Sequence, residues 1–158
     1  MTVAGATVAP AAQAAVVVGV CTIKANLPHG STHVNGTING TGTVSCSIVM
    51  DEIYLRVKLE KSTGQVITGT TDDYFNSSWE SGNASTSCSN SGTWRIRSEY
   101  ALRAPAGYNP SYAAGSTISA WAPVVCGVSR KAADGSGEPA EPYVETTVTI
   151  MANEPIAG

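Results

Sequence analysis

Residues 92–104 read GTWRIRSEYALRA and hold the cleanest two-residue alternation in the chain. Successive side chains of a strand point to opposite faces. Trp94, Ile96, Ser98, Tyr100 and Leu102 therefore share one side, and Arg95, Arg97, Glu99, Ala101 and Arg103 the other. The pattern predicts a strand buried on one face and opened by the turn residue Gly92. The rest of the chain reads as further strands laid beside it or packed over its apolar side.

Upstream, Ile53, Leu55, Val57 and Leu59 alternate with Tyr54, Arg56, Lys58 and Glu60, which predicts a second half-buried strand ending at Lys61. Residues 43–48 place Val44, Cys46 and Ile48 on one face, so Cys46 is expected to point inward. A β-branched run over 15–25 predicts the first strand, and 31–38 a weaker one. Asn39-Gly40 then offers the dipeptide whose tolerance of positive φ suits a hairpin turn. Ser62-Thr63-Gly64 turns the chain into a strand over 65–71. Residues 72–82 (DDYFNSSWESG) read as an irregular loop, and 83–89 as a short polar strand carrying Cys88. Residues 105–115 (PAGYNPSYAAG) are too rich in Pro and Gly for regular structure, and 116–126 form a strand in which Pro123 marks an edge or a bulge. Short strands at this spacing predict an all-β fold: a two-sheet antiparallel β-sandwich of immunoglobulin-like kind with two disulfides, with a small β-barrel as the alternative.

Composition supports that class. Charged residues make up 13% and aromatics 6% of 158 residues, and no helical-period segment rich in Leu, Glu, Lys and Arg occurs. Lys and Arg number 9 against 12 Asp and Glu, a net charge of −3 that supplies no electrostatic footprint for nucleic acid. The four cysteines, Cys21, Cys46, Cys88 and Cys126, are even in number and widely spaced, with no C-x-x-C pair. They predict a disulfide framework and an oxidising compartment. Three pairings are open; Cys21 with Cys46 and Cys88 with Cys126 is favoured, because each joins segments separated by strand-turn units and lets both bridges face one core. On the loop-entropy model each closure stabilises by about 3–4 kcal/mol.

Residues 1–14 are small and apolar and end in the small-x-small signature Ala12-Gln13-Ala14, which predicts the remnant of a signal peptide, with an Ala-rich disordered arm as the alternative. No run reaches the ~20 apolar residues of a membrane span. The domain reading is a sandwich over 15–127, a flexible linker over 128–142 (VSRKAADGSGEPAEP), and a C-terminal strand and tail over 143–158. The last strand, YVETTVTIM over 143–151, either returns to its own sheet or adds to the edge of a partner's.

No catalytic constellation emerges. His29 and His33, the two histidines, lie in a Pro/Gly turn and as two ligands alone make a poor metal site, and no G-x-S-x-G elbow accompanies the many serines. Asp51-Glu52 and Asp72-Asp73 are neighbours on extended chain and point apart. Asp72, Asp73, Asn76 and Glu80 lack EF-hand spacing, so neither a metal nor another cofactor is expected. The outward Arg56, Lys58, Arg95, Arg97 and Arg103 are read as cross-strand partners of Glu60 and Glu99, with an anion-binding patch as the competing reading. The candidate binding residues are the loop aromatics Tyr74, Phe75, Trp79, Tyr108 and Tyr112, since aromatics in Gly/Ser/Asn-rich loops give rigid contact area at low entropic cost. Inward folding of Phe75 and Trp79 as a cap on the core is the alternative.

Val44-Ser45-Cys46-Ser47, the alternation over 53–59, Gly92-Thr93-Trp94-Arg95, Pro105-Ala106-Gly107-Tyr108 and Cys126-Gly127 together resemble a group of small secreted actinobacterial two-disulfide β-sandwich proteins, mostly of unassigned function. The resemblance covers about 21–127, and the extension beyond Val128 departs from it. Size, secretion and cysteine content are also similar to those of the adaptor subunit of secreted umbrella toxin particles. The expectation is a secreted, extracellular, non-catalytic protein-binding or adaptor module with an extracellular protein partner. The alternatives are a module binding carbohydrate or cell-wall glycan, recognised by a platform of Trp79, Tyr74 and Tyr108, and an inhibitor of a secreted hydrolase presenting 72–89 as a rigid loop.

Overall fold

The computed structural model describes residues 15–126 and 142–153. They form strands β1 (Ala15–Asn26), β2 (His29–Gly30), β3 (Thr37–Lys61), β4 (Val66–Ser87), β5 (Gly92–Arg103), β6 (Tyr108–Asn109), β7 (Tyr112–Ile118), β8 (Ala122–Val124) and β9 (Tyr143–Asn153). One 3-10 turn, Cys88–Asn90, is the single helical element among the described residues. All nine strands join one antiparallel sheet with the path β6-β9-β1-β3-β5-β7; β2 and β4 also pair with β3, and β8 with β5. The sheet is open, not closed into the barrel of the alternative reading. Its strands share one hydrogen-bonded network where the sequence suggests two.

The doubling of β3 accounts for that difference. Residues 42–46 of this strand pair with β1 and residues 52–61 with β5, while β4 follows β3 along its other edge from Thr37 to Glu60. Between the two halves the β3/β4 register shifts, from Ser45 opposite Trp79 to Met50 opposite Ser77, and Asn76 adopts φ 53°. Extra residues on one strand of a pair bend it. The sheet consequently doubles over: a Cβ on Gly42 would collide with Ser98 and meet Val57 at 3.1 Å, and one on Gly40 would collide with Ile96. Buried positions on β3 are even at Ile38, Val44, Cys46 and Met50, then odd at Ile53, Leu55, Val57 and Leu59, so both halves line the same core. Trp94, Ile96 and Leu102 of β5 and Ile23 of β1 complete it. Inside, the Ser98 hydroxyl donates to the Lys24 carbonyl at 2.9 Å, linking β5 to β1 through the space that Gly42 leaves.

Several local expectations change. Asn39-Gly40 is not a turn but lies inside β3, opposite Ser85 and Ala84; the turn occupies residues 31–36, where Gly36 takes φ 79° and Ser31 Oγ accepts from the amides of His33 and Val34. Residues 72–82 are not a loop but the middle of β4. Residues 105–115 contain β6 and most of β7, and the strand predicted over 116–126 is divided between β7 and β8. Pro123 sits in β8, which among the described residues pairs only with β5. β9 returns to its own sheet, pairing with β1 from Ala15 opposite Asn153 to Asn26 opposite Tyr143. The arm at 1–14, the linker apart from Pro142, and residues 154–158 lie outside the described residues.

Both disulfides follow the favoured pairing. Cys21 and Cys46 stand opposite each other on β1 and β3, and Cys88 joins Cys126 just beyond β8, fastening the end at which β5 begins. The sequence separations of 25 and 38 residues correspond to about 3–4 kcal/mol each on the loop-entropy model.

Two measurements check this account. Gly40→Val should lower the unfolding free energy, read by urea titration, by about 1–3 kcal/mol, because the new side chain enters the volume of Ile96. Replacing Cys88 and Cys126 together by Ala should cost about 2–5 kcal/mol in the same assay, and so should replacing Cys21 and Cys46.

Candidate functional site

Pairing across four neighbouring strands sorts the outward side chains of one half of the sheet into rows. Tyr112 of β7 lies opposite Arg103 of β5, which lies opposite Glu52 of β3, which lies opposite Phe75 of β4. The next row runs Ala114, Ala101, Tyr54, Asp73, and the one after it Ser116, Glu99, Arg56, Thr71. Directly opposed residues on one face are in side-chain contact range. Because Ala114 and Ala101 are short and the rows on either side are long, a trough opens between them. It is a shallow, open groove of about 580 Å³, with Glu52, Tyr54, Asp73, Glu99, Arg103 and Tyr112 among its lining residues.

The charges around the groove are arranged as a chain of pairs. Arg103 Nε meets Glu52 Oε2 at 3.1 Å, Glu99 receives both Arg56 and Lys58 at 2.5 and 2.7 Å, and Glu60 receives both Arg95 and Arg97 at 2.7 and 2.6 Å. Lys58 and Arg97 lie opposite each other, and each is drawn diagonally to a carboxylate. These five outward cations thus share three carboxylates across the strands, in the cross-strand arrangement the sequence suggests, with Glu60 and Glu99 each serving two. Trp121 stacks against Arg95, with the guanidinium 4.3 Å from the ring centre.

The carboxyls respond to these surroundings in opposite directions. Partial burial alone would push Glu60 and Glu99 up, but hydrogen bonds from Arg97 and Arg95, and from Lys58 and Arg56, outweigh it and hold both below the ordinary range. Asp73 is raised, first by lost hydration and then by the neighbouring Glu52 and Asp72 carboxylates. Tyr74 is raised by lost hydration and by Asp72, to which its hydroxyl donates at 3.3 Å.

Of the five aromatics singled out in the sequence, Phe75 and Tyr112 are brought into one row, 65% and 56% exposed. Phe75 and Trp79 do not fold inward as a cap. Trp79, 56% exposed, lies beyond the Asn76 bend opposite Ser45, on the outside of the other half. Tyr74 shares the parity of the inward side, opposite the buried Ile53, and Tyr108 packs against the core while its backbone pairs with Ala152. Trp79, Tyr74 and Tyr108 therefore do not form a common platform. The segment 72–89 does not protrude as a loop, since 72–87 runs within β4. Tyr54 and Trp121 belong to the surface and were not singled out; the two-residue spacing of Glu99, Ala101 and Arg103 was the available sign of a short side chain between long ones.

No three His, Cys, Asp or Glu side chains converge as a metal site among the described residues, so Asp72, Asp73 and Glu80 do not assemble one. No helix among them is long and apolar enough to cross a membrane. Compared with known proteins, the chain matches no family model, no curated protein and no solved structure.

The pH dependence follows from the pairs. Glu60 and Glu99 titrate lower in the folded chain than in the unfolded one, so their contribution is complete above the unfolded carboxyl value of about 4.3 and is lost as pH falls through the lowered folded value. Asp73 opposes this, destabilising the fold where it is ionised. Urea titrations from pH 6.5 downward should show stability falling through the acid range. Glu60→Gln with Glu99→Gln should flatten the fall and cost about 0.5–1 kcal/mol per site at neutral pH, the scale of solvent-screened pairs.

Proposed function

We propose that the protein is a secreted, non-catalytic protein-binding or adaptor module of an extracellular assembly, and that the outer face of the β4-β3-β5-β7 half is its recognition surface. The row Tyr112–Arg103–Glu52–Phe75 carries this reading: two exposed aromatic side chains flank an ion pair beside a groove. Aromatics and arginine are the residues in which binding energy concentrates at protein interfaces. The charges beside them are paired before any partner arrives, so little ordering remains to oppose binding. Two formed disulfides suit an oxidising, extracellular setting. In the same reading the doubled sheet is a two-layer, immunoglobulin-like sandwich, related to the small secreted actinobacterial proteins and to the umbrella-particle adaptor that the sequence resembles.

A second reading has its own support. Tyr54 and Tyr112 stand among planar carboxylate and guanidinium groups in an open groove, a combination that also suits a glycan. The sequence's inhibitor reading has lost its protruding loop.

The test compares the wild type with a Phe75→Ala, Tyr112→Ala double variant of unchanged circular dichroism, each immobilised and exposed to culture supernatant of the source organism. Loss of two anchor residues should lower partner recovery at least about tenfold. Loss with Trp79→Ala instead would move the surface to the outside of the other half of the sheet. Retention on purified cell-wall glycan, abolished by the double variant, would favour the second reading.

A further inference from the structure

The edge of the sheet beside the groove is unguarded. Ala104 N–H donates to the Ser111 carbonyl at 3.0 Å and Ser119 N–H to the Ile96 carbonyl at 2.9 Å, bracketing the β5–β7 ladder. Both residues of an antiparallel hydrogen-bonded pair direct N–H and C=O toward each other, and such pairs alternate along the ladder. Ala113, Gly115 and Thr117 therefore face β5, and the N–H and C=O groups of Tyr112, Ala114, Ser116 and Ile118 point away from it. No strand pairs with that side of β7 among the described residues. Exposed edges are ordinarily blunted by charge, proline or a bulge. β7 reads YAAGSTI, with no charge, no proline and no register shift against β5. By contrast, β4 carries Asp72, Asp73 and Glu80 and is bent at Asn76, and β6 has only two residues.

We infer that β7 is the acceptor edge for an extended strand of a protein partner, and that this strand presents a Lys or Arg side chain beside Ala114 that lies in the trough. The inference rests on the recognition surface proposed above and specifies the partner's chemistry. An added strand would run about 4.8 Å beyond β7. A long side chain from it passes over Ala114 toward Ala101, between the Glu52 and Glu99 rows, with Tyr54 and Asp73 at the far end. Of the three carboxylates that line the groove, Glu52 is held by Arg103 and Glu99 by Arg56 and Lys58, while Asp73 forms no ion pair among the described residues and is the carboxylate left open to a partner's cation. A second copy of this chain supplies no such cation from its own β7, which argues for a different protein as occupant.

Residue-resolved amide exchange on the full chain tests this. In the free protein the amides of Tyr112, Ala114, Ser116 and Ile118 should exchange fast, and those of Ala113, Gly115 and Thr117 slowly. A short peptide of alternating Thr and Val with a central Arg should slow the first four. Its twin with a central Glu should bind at least about tenfold more weakly, as expected for a reversed charge at a complementary site. A twin N-methylated at alternate amides should not protect. Ala114→Pro deletes an edge donor without touching the β5 ladder and should abolish protection; Ser116→Pro does the same should the first variant not fold. Ala101→Leu should erase the difference between the Arg and Glu peptides. The inference is overturned by absence of protection with every peptide or by equal affinity for the Arg and Glu twins. Slow exchange at the four amides in the free protein with concentration-dependent mass would overturn it too, since a second copy would then hold the edge. Loss of the natural partner in the Phe75→Ala, Tyr112→Ala variant but not in Ala114→Pro would leave the recognition surface standing and remove strand addition alone.

Discussion

One strand has to line both sides of one core, and the molecule depends on the contact that makes this possible. Where β3 doubles back, Gly40 faces Ile96 and Gly42 faces Ser98 at distances that exclude a Cβ. Interiors are packed like crystals, so a methyl group added at such a contact cannot be absorbed by slack. The close approach lets Ser98 reach the Lys24 carbonyl and brings β1 against β5, strands that are not hydrogen-bonded neighbours in the sheet. The two disulfides act elsewhere. Cys21–Cys46 ties β3 to β1 on one side of the bend, and Cys88–Cys126 fastens the far end of β5, so the bend is held from both halves and not by its own residues.

The parts of the fold that were legible in the sequence are those where one face is buried and the other wet. Every inward residue read from 92–104 is buried, and the outward ones carry the ion pairs, because period-two alternation reports burial directly. The same holds for 53–59. The inward position of Cys46 follows from the same rule, and the favoured cysteine pairing is the one formed. What was hidden is the behaviour of polar strands. Residues 72–82 are Ser- and Asp-rich and alternate in nothing that water would distinguish, yet β3 recruits them by backbone pairing between Gly42 and Leu55. Asn39-Gly40 misleads for a different reason: the glycine serves close packing against Ile96 and not turn conformation, and local sequence does not separate those uses.

The candidate surface was half legible for the same cause. Phe75 and Tyr112 were visible as aromatics among small polar residues, but their common row depends on the registers of three strand pairs, Tyr112 with Arg103, Arg103 with Glu52 and Glu52 with Phe75. Register is set by which faces are buried, so an error of one residue in any pair would have scattered the row. The ion pairs that share this face add little to stability, being solvent-screened. Their stronger effect is on the state of the surface: with Glu60 and Glu99 held ionised by two cations each, the face offers a fixed pattern of charge and not a mobile one. In the proposed binding role, such a pattern would select among partners more than it strengthens binding to any of them.

The same economy explains why the groove lies where it does. A trough in a sheet needs short side chains on neighbouring strands within one row, and short side chains on an edge strand also leave its backbone accessible. Ala114 and Gly115 serve both ends, since both line the groove and belong to β7. On β4, the other long strand along the margin of this half, the bend at Asn76 and the acidic residues make strand addition unfavourable. On the proposed reading, recognition through one margin and rejection through the other are two outcomes of a single asymmetry. Charge and bending are spent on β4, and β7 is left smooth, neutral and adjacent to the aromatic row.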